Sequence, residues 1–400
     1  MRDDPSRRDF LWAVGALSML GPVKFSRGLA PDPNDFLFAP DLVYLQTGSL
    51  GPTPRPVMEK VIAAWKELEQ NPVHYGYGPH EKAMEEARAN AAAFLGCKTE
   101  ELLLTRSATE GMNWVAQGLF LAAGDRVVTT DQEHPGGRSG WDYVARKQGV
   151  VIDTVAIPPG ENDAAAIVDR FAKAITPRTR VLCFSHLLTS TGLRMPVADL
   201  SALARRRGCL AVVDGAQAAG GIAVDVKALG CHVYVTCGHK WLLGPKGTGL
   251  LYLSEEIGAT VDPIALQGGR AAYSNSSGVT SIPSVLGLSW SIDYIRAIGI
   301  AAVERHNLGL SERVYQALQA IPELRVVSPP PGPLASPLVT FKLPDRLQSA
   351  EFMRRLSERH KVVVKTVPGQ WLNGNRISTH LFNREQDVET LAGALKAELS

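Results

Sequence analysis

Three short segments carry residues that could do chemistry together. An apolar run at 210–213 leads into Asp214-Gly215-Ala216-Gln217, and a second at 233–236 leads into Cys237-Gly238-His239-Lys240-Trp241. A third run around Leu104 is followed by Arg106-Ser107-Ala108-Thr109-Glu110 and then by helical spacing. Taken singly, Asp214 reads as a helix cap, Lys240 as a solvated loop lysine, and Ser107 as an N-cap with Glu110 completing a capping box. Taken together they read differently. A lysine held among apolar residues can have a lowered pKa, and a neutral amine forms an imine with an aldehyde. A carboxylate at a neighbouring strand end keeps a protonated ring nitrogen cationic. A helix N-terminus with a hydroxyl suits a phosphate. Imine-forming amine, ring-nitrogen carboxylate and phosphate-binding helix are the three requirements of pyridoxal 5′-phosphate (PLP).

Such groups must be brought together by a sheet. From about residue 54 the pattern alternates: helical spacing at 56–70, 79–94, 108–119, 137–148, 164–174 and 197–207, and short apolar strands at 102–105, 126–130, 151–157, 180–185, 210–214, 233–236 and 249–253. Seven strands separated by helices predict an α/β fold with a mostly parallel sheet covered on both faces. Ligands of such sheets sit beyond the carboxyl ends of the strands, where the three segments lie. Residues 267–283, rich in Gly and Ser, read as a long loop. A helix at 284–297, continuing through 301–321, leads to a smaller α+β unit. That unit has strands at 338–343 and 362–367 and helices at 349–360 and 386–399. The expected division is a large domain over 31–294, including an N-terminal arm, and a small one over 295–400.

Composition narrows the partners. Of 400 residues 45% are hydrophobic and 20% charged, an ordinary globular mix. Forty-two basic against 40 acidic residues leave a net +2, which gives no electrostatic drive toward nucleic acid or an anionic membrane. The five cysteines (97, 183, 209, 231 and 237) form no CxxC pair, so neither a disulfide framework nor a metal site is expected. At the start, Ser6-Arg7-Arg8-Asp9-Phe10-Leu11 opens a short apolar stretch to Leu20, and Gly28-Leu29-Ala30 supplies small exit residues. Residues 1–30 therefore read as a twin-arginine-type export signal, with a periplasmic or extracellular destination and no stable membrane anchor.

The segments VVDGAQ and CGHKWLLGPKGTG, in that order and spacing, together with TRSATEGMN, resemble the signatures of the class V aminotransferase family of PLP fold type I. The resemblance spans residues 40–400. It implies that Lys240 is the Schiff-base lysine, that Asp214 pairs with the pyridine nitrogen, and that Gln217 hydrogen-bonds the ring hydroxyl. It further implies that His134 stacks on the ring, that Ala108 (through its N–H), Thr109 and His239 contact the phosphate, and that Arg376 grips the substrate carboxylate. Three positions depart from the family pattern. Cys237 stands where relatives usually have a phosphate-binding Ser. Val279 follows Gly278 where relatives place a Thr that reaches the other subunit's phosphate, leaving Thr280 one residue away. Thr189 replaces an Asn that contacts substrate. A homodimer is implied by the resemblance alone.

The segment from Tyr44 to Gly51, the Pro52-Thr53-Pro54-Arg55-Pro56 run and Asn71-Pro72-Val73 are similar to the isopenicillin-N-epimerase-like branch, which places Ser49 with Thr189 and Arg376 on the substrate side. That branch includes epimerases, C–S lyases and an exported enzyme that modifies a siderophore side chain. The implied activity is transamination or epimerisation at the amino group or Cα–H of an amino acid or small peptide, with Lys240 as the base. The alternatives are C–S bond cleavage by elimination, side-chain modification of an exported peptide, and a non-catalytic sensor or scaffold on the same fold. A cysteine desulfurase needs a mobile nucleophilic Cys before the C-terminal arginine, and residues 362–375 contain none. Tyr75, Tyr77 and Trp371 read either as pocket walls or as interface packing. His74, His80, His186 and His380 have no partner visible in the sequence.

Overall fold

The computed structural model describes residues 33–400, apart from 259, 368 and 370. The expected export signal at 1–30 lies outside the described residues. Seven strands form the main sheet: β1 (Leu102–Thr105), β2 (Arg126–Thr130), β3 (Val151–Val155), β4 (Thr179–Ser185), β5 (Leu210–Asp214), β6 (Val233–Cys237) and β7 (Gly249–Leu253). Their order is β1-β7-β6-β5-β4-β2-β3. β7 runs antiparallel to both neighbours and the remaining pairings are parallel.

Alternation along the strands builds a core on each face. In β4, Val181 and Cys183 join Met112 and Val115 of α3 and Trp141 and Val144 of α4, whereas Leu182 and Phe184 face the opposite core. Here α1 is Arg55–Leu68, α2 Pro79–Leu95, α3 Ala108–Gly118 and α4 Pro135–Gln148. The opposite face is covered by α5 (Ala164–Ala174), α6 (Val197–Arg206) and α7 (Ile282–Ile298), with α1 and α2 packed on α7. Local signals start these helices where they are needed. The Asp163 carboxylate caps α5 by accepting from the N–H groups of Ala165 and Ala166, and Ser107 Oγ caps α3 by accepting from Glu110 N–H at 3.1 Å. The Glu110 carboxylate takes the Arg106 N–H at 2.6 Å rather than that of the cap residue, so the expected capping box closes one residue early.

The helix expected to run on past residue 297 breaks at Gly299. Its φ of +93° ends α7, and α8 (Ile300–Gln319) leaves at 78°. Val303 still packs in the large core, and Leu310, Val314 and Leu318 belong to a second one. That second core lies against an antiparallel sheet of β8 (Arg325–Val326), β9 (Leu338–Lys342), β10 (Lys365–Thr366) and β11 (Gly374–Ser378), ordered β10-β11-β9-β8. α9 (Ser349–His360) and α10 (Glu385–Leu399) complete it. The single strand expected at 362–367 is divided. Val362–Val363 pairs in parallel with Val43–Tyr44 of the N-terminal arm, and β10 pairs with β11 instead. Val43 and Leu45 are thereby buried in the second core, stitching the arm across the two units. Among the described residues no single helix is long and apolar enough to cross a membrane.

Candidate active site

β5 delivers Asp214 as its last residue, buried, with its Oδ1 accepting the Ala216 N–H at 2.9 Å. Gly137, in the first turn of α4, lets that helix approach closely. A Cβ there would lie 2.7 Å from Asp214 Oδ2. The adjacent β6 ends at Cys237, and the turn after it presents His239 and Lys240. This turn is held from three directions. Gly238 N–H donates to Thr248 O at 2.8 Å, Gly244 N–H to Gly238 O at 2.8 Å, and Gly51 N–H of the arm to His239 O at 2.8 Å. Leu243, three residues after Lys240, has φ +56°, a strained value for a side-chain-bearing residue.

The N-terminus of α3 opens onto the same cleft with Ser107, Ala108 and Thr109. His239 Nδ1 is buried there without a hydrogen-bond partner. A helix start beside an unsatisfied imidazole nitrogen fits a phosphate. Cys237 also lines the cleft, but its thiol donates to Ala216 O at 3.6 Å, and burial raises its pKa.

The second unit supplies Arg376 from β11. It is buried, and its Nη1 donates to Thr189 O at 2.8 Å and to Thr189 Oγ1 at 2.5 Å. Its Nε is buried with no partner, and burial lowers its pKa to about 10, which leaves it charged at neutral pH. Gln217 is engaged at both ends: Nε2 donates to Gly48 O at 2.8 Å, and Oε1 accepts Trp241 Nε1–H at 2.9 Å. Ser49 Oγ accepts from Gln46 Nε2 at 3.3 Å. His134 caps α4 by accepting the Gly136 N–H on Nδ1 at 3.0 Å, so the ring's remaining N–H is on Nε2 when it is neutral. Desolvation first, and then the Lys240 charge, lower its pKa, against the opposing effect of Asp214.

The structure brings Ser49, Ala108, Thr109, His134, Thr189, Asp214, Gln217, Cys237, His239, Lys240 and Arg376 to one cleft of about 390 Å³ between the two units. Trp371 lines it too, whereas Tyr77 stacks edge-on against Tyr273 and Tyr75 against His74, both away from it. Three features of the cleft and its surroundings were not visible in the sequence. β11, the strand that presents Arg376, was missed because its Gly-Asn-Arg-Ile-Ser run is polar. Lys365, on β10, lines the cleft opposite the main sheet. Glu133 is buried, accepting from Thr130 Oγ1 (2.6 Å), Ser185 Oγ (2.6 Å) and Ser185 N–H (3.2 Å), and burial lifts its pKa to about 7. Its neighbour His134 was the only signal for it.

A family model described as aminotransferase class-V matches residues 43–391. The chain belongs to the class V aminotransferase family. An isopenicillin N epimerase of Amycolatopsis lactamdurans is 33% identical over 385 residues, covering 90% of this chain and 96% of that protein. A probable cysteine desulfurase of Methanothermobacter thermautotrophicus is 31% identical over 299 residues, covering 70% of this chain and 73% of that protein. Among solved structures, a C-DES variant with glycine covalently linked to its PLP cofactor superposes with a TM-score of 0.82 at 23% identity, covering 91% of this chain and 99% of that one. The fold is PLP fold type I, as the resemblance implied, and PLP is the cofactor. The residues present fit it. The Asp214 carboxylate suits a ring nitrogen and the Lys240 amine an aldehyde, while the start of α3 and the unpartnered His239 Nδ1 suit a phosphate.

Proposed function

We propose that this class V enzyme acts at the Cα–H of an α-amino acid or small peptide and epimerises it. The observation that carries the reading is the convergence on one cleft of the Lys240 amine, the Asp214 carboxylate and the unsatisfied Nε edge of Arg376. PLP, when bound, withdraws electrons from whichever Cα bond stands perpendicular to its ring. Arg376 orients the substrate by its carboxylate, a task suited to a planar guanidinium. Lys240, once its amine is free, takes the Cα proton. Asp214 holds a proton at the ring nitrogen by ion pairing. Likeness to an isopenicillin N epimerase over nearly that protein's whole length supports inversion over transamination.

The second reading is cleavage of a C–S bond by elimination, favoured by the desulfurase relative. Persulfide chemistry is disfavoured, because Cys237 is the cleft's only cysteine and its thiol is turned to a backbone carbonyl. Incubating the PLP-loaded enzyme in D2O with isopenicillin N and a panel of L-amino acids separates the readings. Deuterium at Cα with the D-epimer is expected. A keto acid with an aminated acceptor would instead mean transamination, and released thiol or sulfide would mean lysis.

Two further parts of the proposal rest on other grounds. Export through the twin-arginine route, with a periplasmic setting and a peptide such as a siderophore precursor within reach, is supported by residues 6–30. Replacing Arg7 and Arg8 by Lys should keep the protein in the cytoplasm. A homodimer is supported by exposed apolar side chains at Phe120, Ile264 and Val279, on and near the loop that follows β7, and is read by sedimentation.

A further inference from the structure

Lys365 is the cleft residue whose placement the cofactor roles leave unexplained. It lies on β10 directly opposite Arg376 of β11 in antiparallel register, so the two side chains leave the sheet on the same face, toward the cleft. Lys342 and Lys361 of the same unit are ion-paired, to Asp345 at 3.2 Å and Asp41 at 3.1 Å. Among the described residues Lys365 has no such carboxylate and no hydrogen-bond partner; the charges that act on it are those of Arg376 and Lys240. It is half-buried, and Asp214, the carboxylate in the cleft, is not among the charges that act on it. Lys240 stands on the other wall, after β6 of the main sheet.

We propose that Lys365 is the second acid–base group of the reaction, facing a substrate Cα from the small-unit wall while Lys240 faces it from the main-sheet wall. This rests on the epimerase reading above. The Cα–H bond breaks as the neutral Lys240 amine takes the proton. The electron pair left at Cα then accepts a proton from the Lys365 ammonium, forming the new Cα–H bond on the opposite face. No oxidant or reductant is consumed, and the two amines restore their resting protonation through solvent. Burial and the neighbouring Arg376 and Lys240 charges lower the Lys365 pKa, which eases release of that proton. A single lysine would wash the Cα proton in and out on one face. A proton donor on the opposite wall is what inversion needs, and Lys365 is the amine placed there.

The test uses full-length PLP-loaded protein and its Lys365→Gln and Lys365→Arg variants, with isopenicillin N and L-amino acids in D2O. First, borohydride trapping followed by peptide mass spectrometry should find as much cofactor on Lys240 in the variants as in wild type, a readout independent of turnover. Inversion in both variants should fall by about 100-fold while Cα deuterium exchange with retained configuration persists within about threefold, a selective loss of one general acid. Inversion undiminished in Lys365→Gln would overturn the proposal. So would inversion rescued by Lys365→Arg, because charge alone would then suffice. Equal loss of exchange and inversion would overturn it too, making Lys365 a carboxylate-positioning residue. If wild type exchanges no Cα proton at all, the epimerase reading itself has failed.

Discussion

Arg376 shows how much of the site depends on the chemistry of single side chains. Its Nη1 is spent on Thr189, and its buried Nε has no protein partner, so a substrate carboxylate can complete the guanidinium's donors. An Arg376→Lys variant keeps a charge but loses the planar fork. The expected result is a KM higher by about 10- to 100-fold, with kcat less affected, as for loss of one charge-assisted hydrogen bond. Steady-state kinetics on the substrate found by the deuterium screen would check it. Glu133 permits a prediction of opposite character. Its carboxyl titrates near 7 in the fold against an ordinary 4.5, so the folded chain binds the extra proton in between. The stability it contributes is therefore fully present below about 4.5 and is lost as pH rises through about 7. The melting temperature of wild type, relative to Glu133→Gln, should fall between pH 5 and pH 8. Parallel curves would contradict this.

At the scale of elements, the lysine turn is held by backbone, and that makes it sensitive to one glycine of the arm. A Cβ on Gly51 would intrude on the Lys240 carbonyl oxygen, a backbone atom that cannot rotate away. Gly51→Ala should therefore displace the turn and lower PLP retention during dialysis by about 10-fold or more, since overpacking of this kind costs about 1–3 kcal/mol. Unchanged retention would show that the arm does not set the position of Lys240. The same scale explains what could be read in advance. The main strands were legible because most are short apolar runs set off by helices, and Asp214 and Lys240 because one ends such a run and the other follows one closely. The break at Gly299 was not, because the apolar pattern continues across it and only the backbone sign at one glycine ends the helix. Lys365 and Glu133 were missed for a related reason. What matters about them is what they face, and that depends on β10 pairing with β11 and on the β2 turn meeting the end of β4.

Across the whole molecule, the large and small units are tied together by the arm, and buried histidines sit near the junctions. His186 bonds Tyr234 Oη at 2.9 Å under the main sheet, and His380 bonds Trp241 O at 2.9 Å between the two units. Burial pushes both down to about 3 from the ordinary 6.5, so both are neutral in the fold. Their contribution is complete above 6.5 and is lost as pH falls toward 3, opposite in sign to that of Glu133. Thermal unfolding should accordingly show an acid limb between pH 6 and pH 4. In His380→Gln that limb should be shallower, even though the variant is less stable at pH 7. The account as a whole depends on one covalent link, between the Lys240 ε-amine and the PLP aldehyde. Borohydride reduction of protein prepared with vitamin B6, followed by mass spectrometry of the tryptic fragments, should place a reduced pyridoxyl group on Lys240. A fully loaded protein whose label sits on another lysine, or an unlabelled Lys240 fragment from such material, would contradict it.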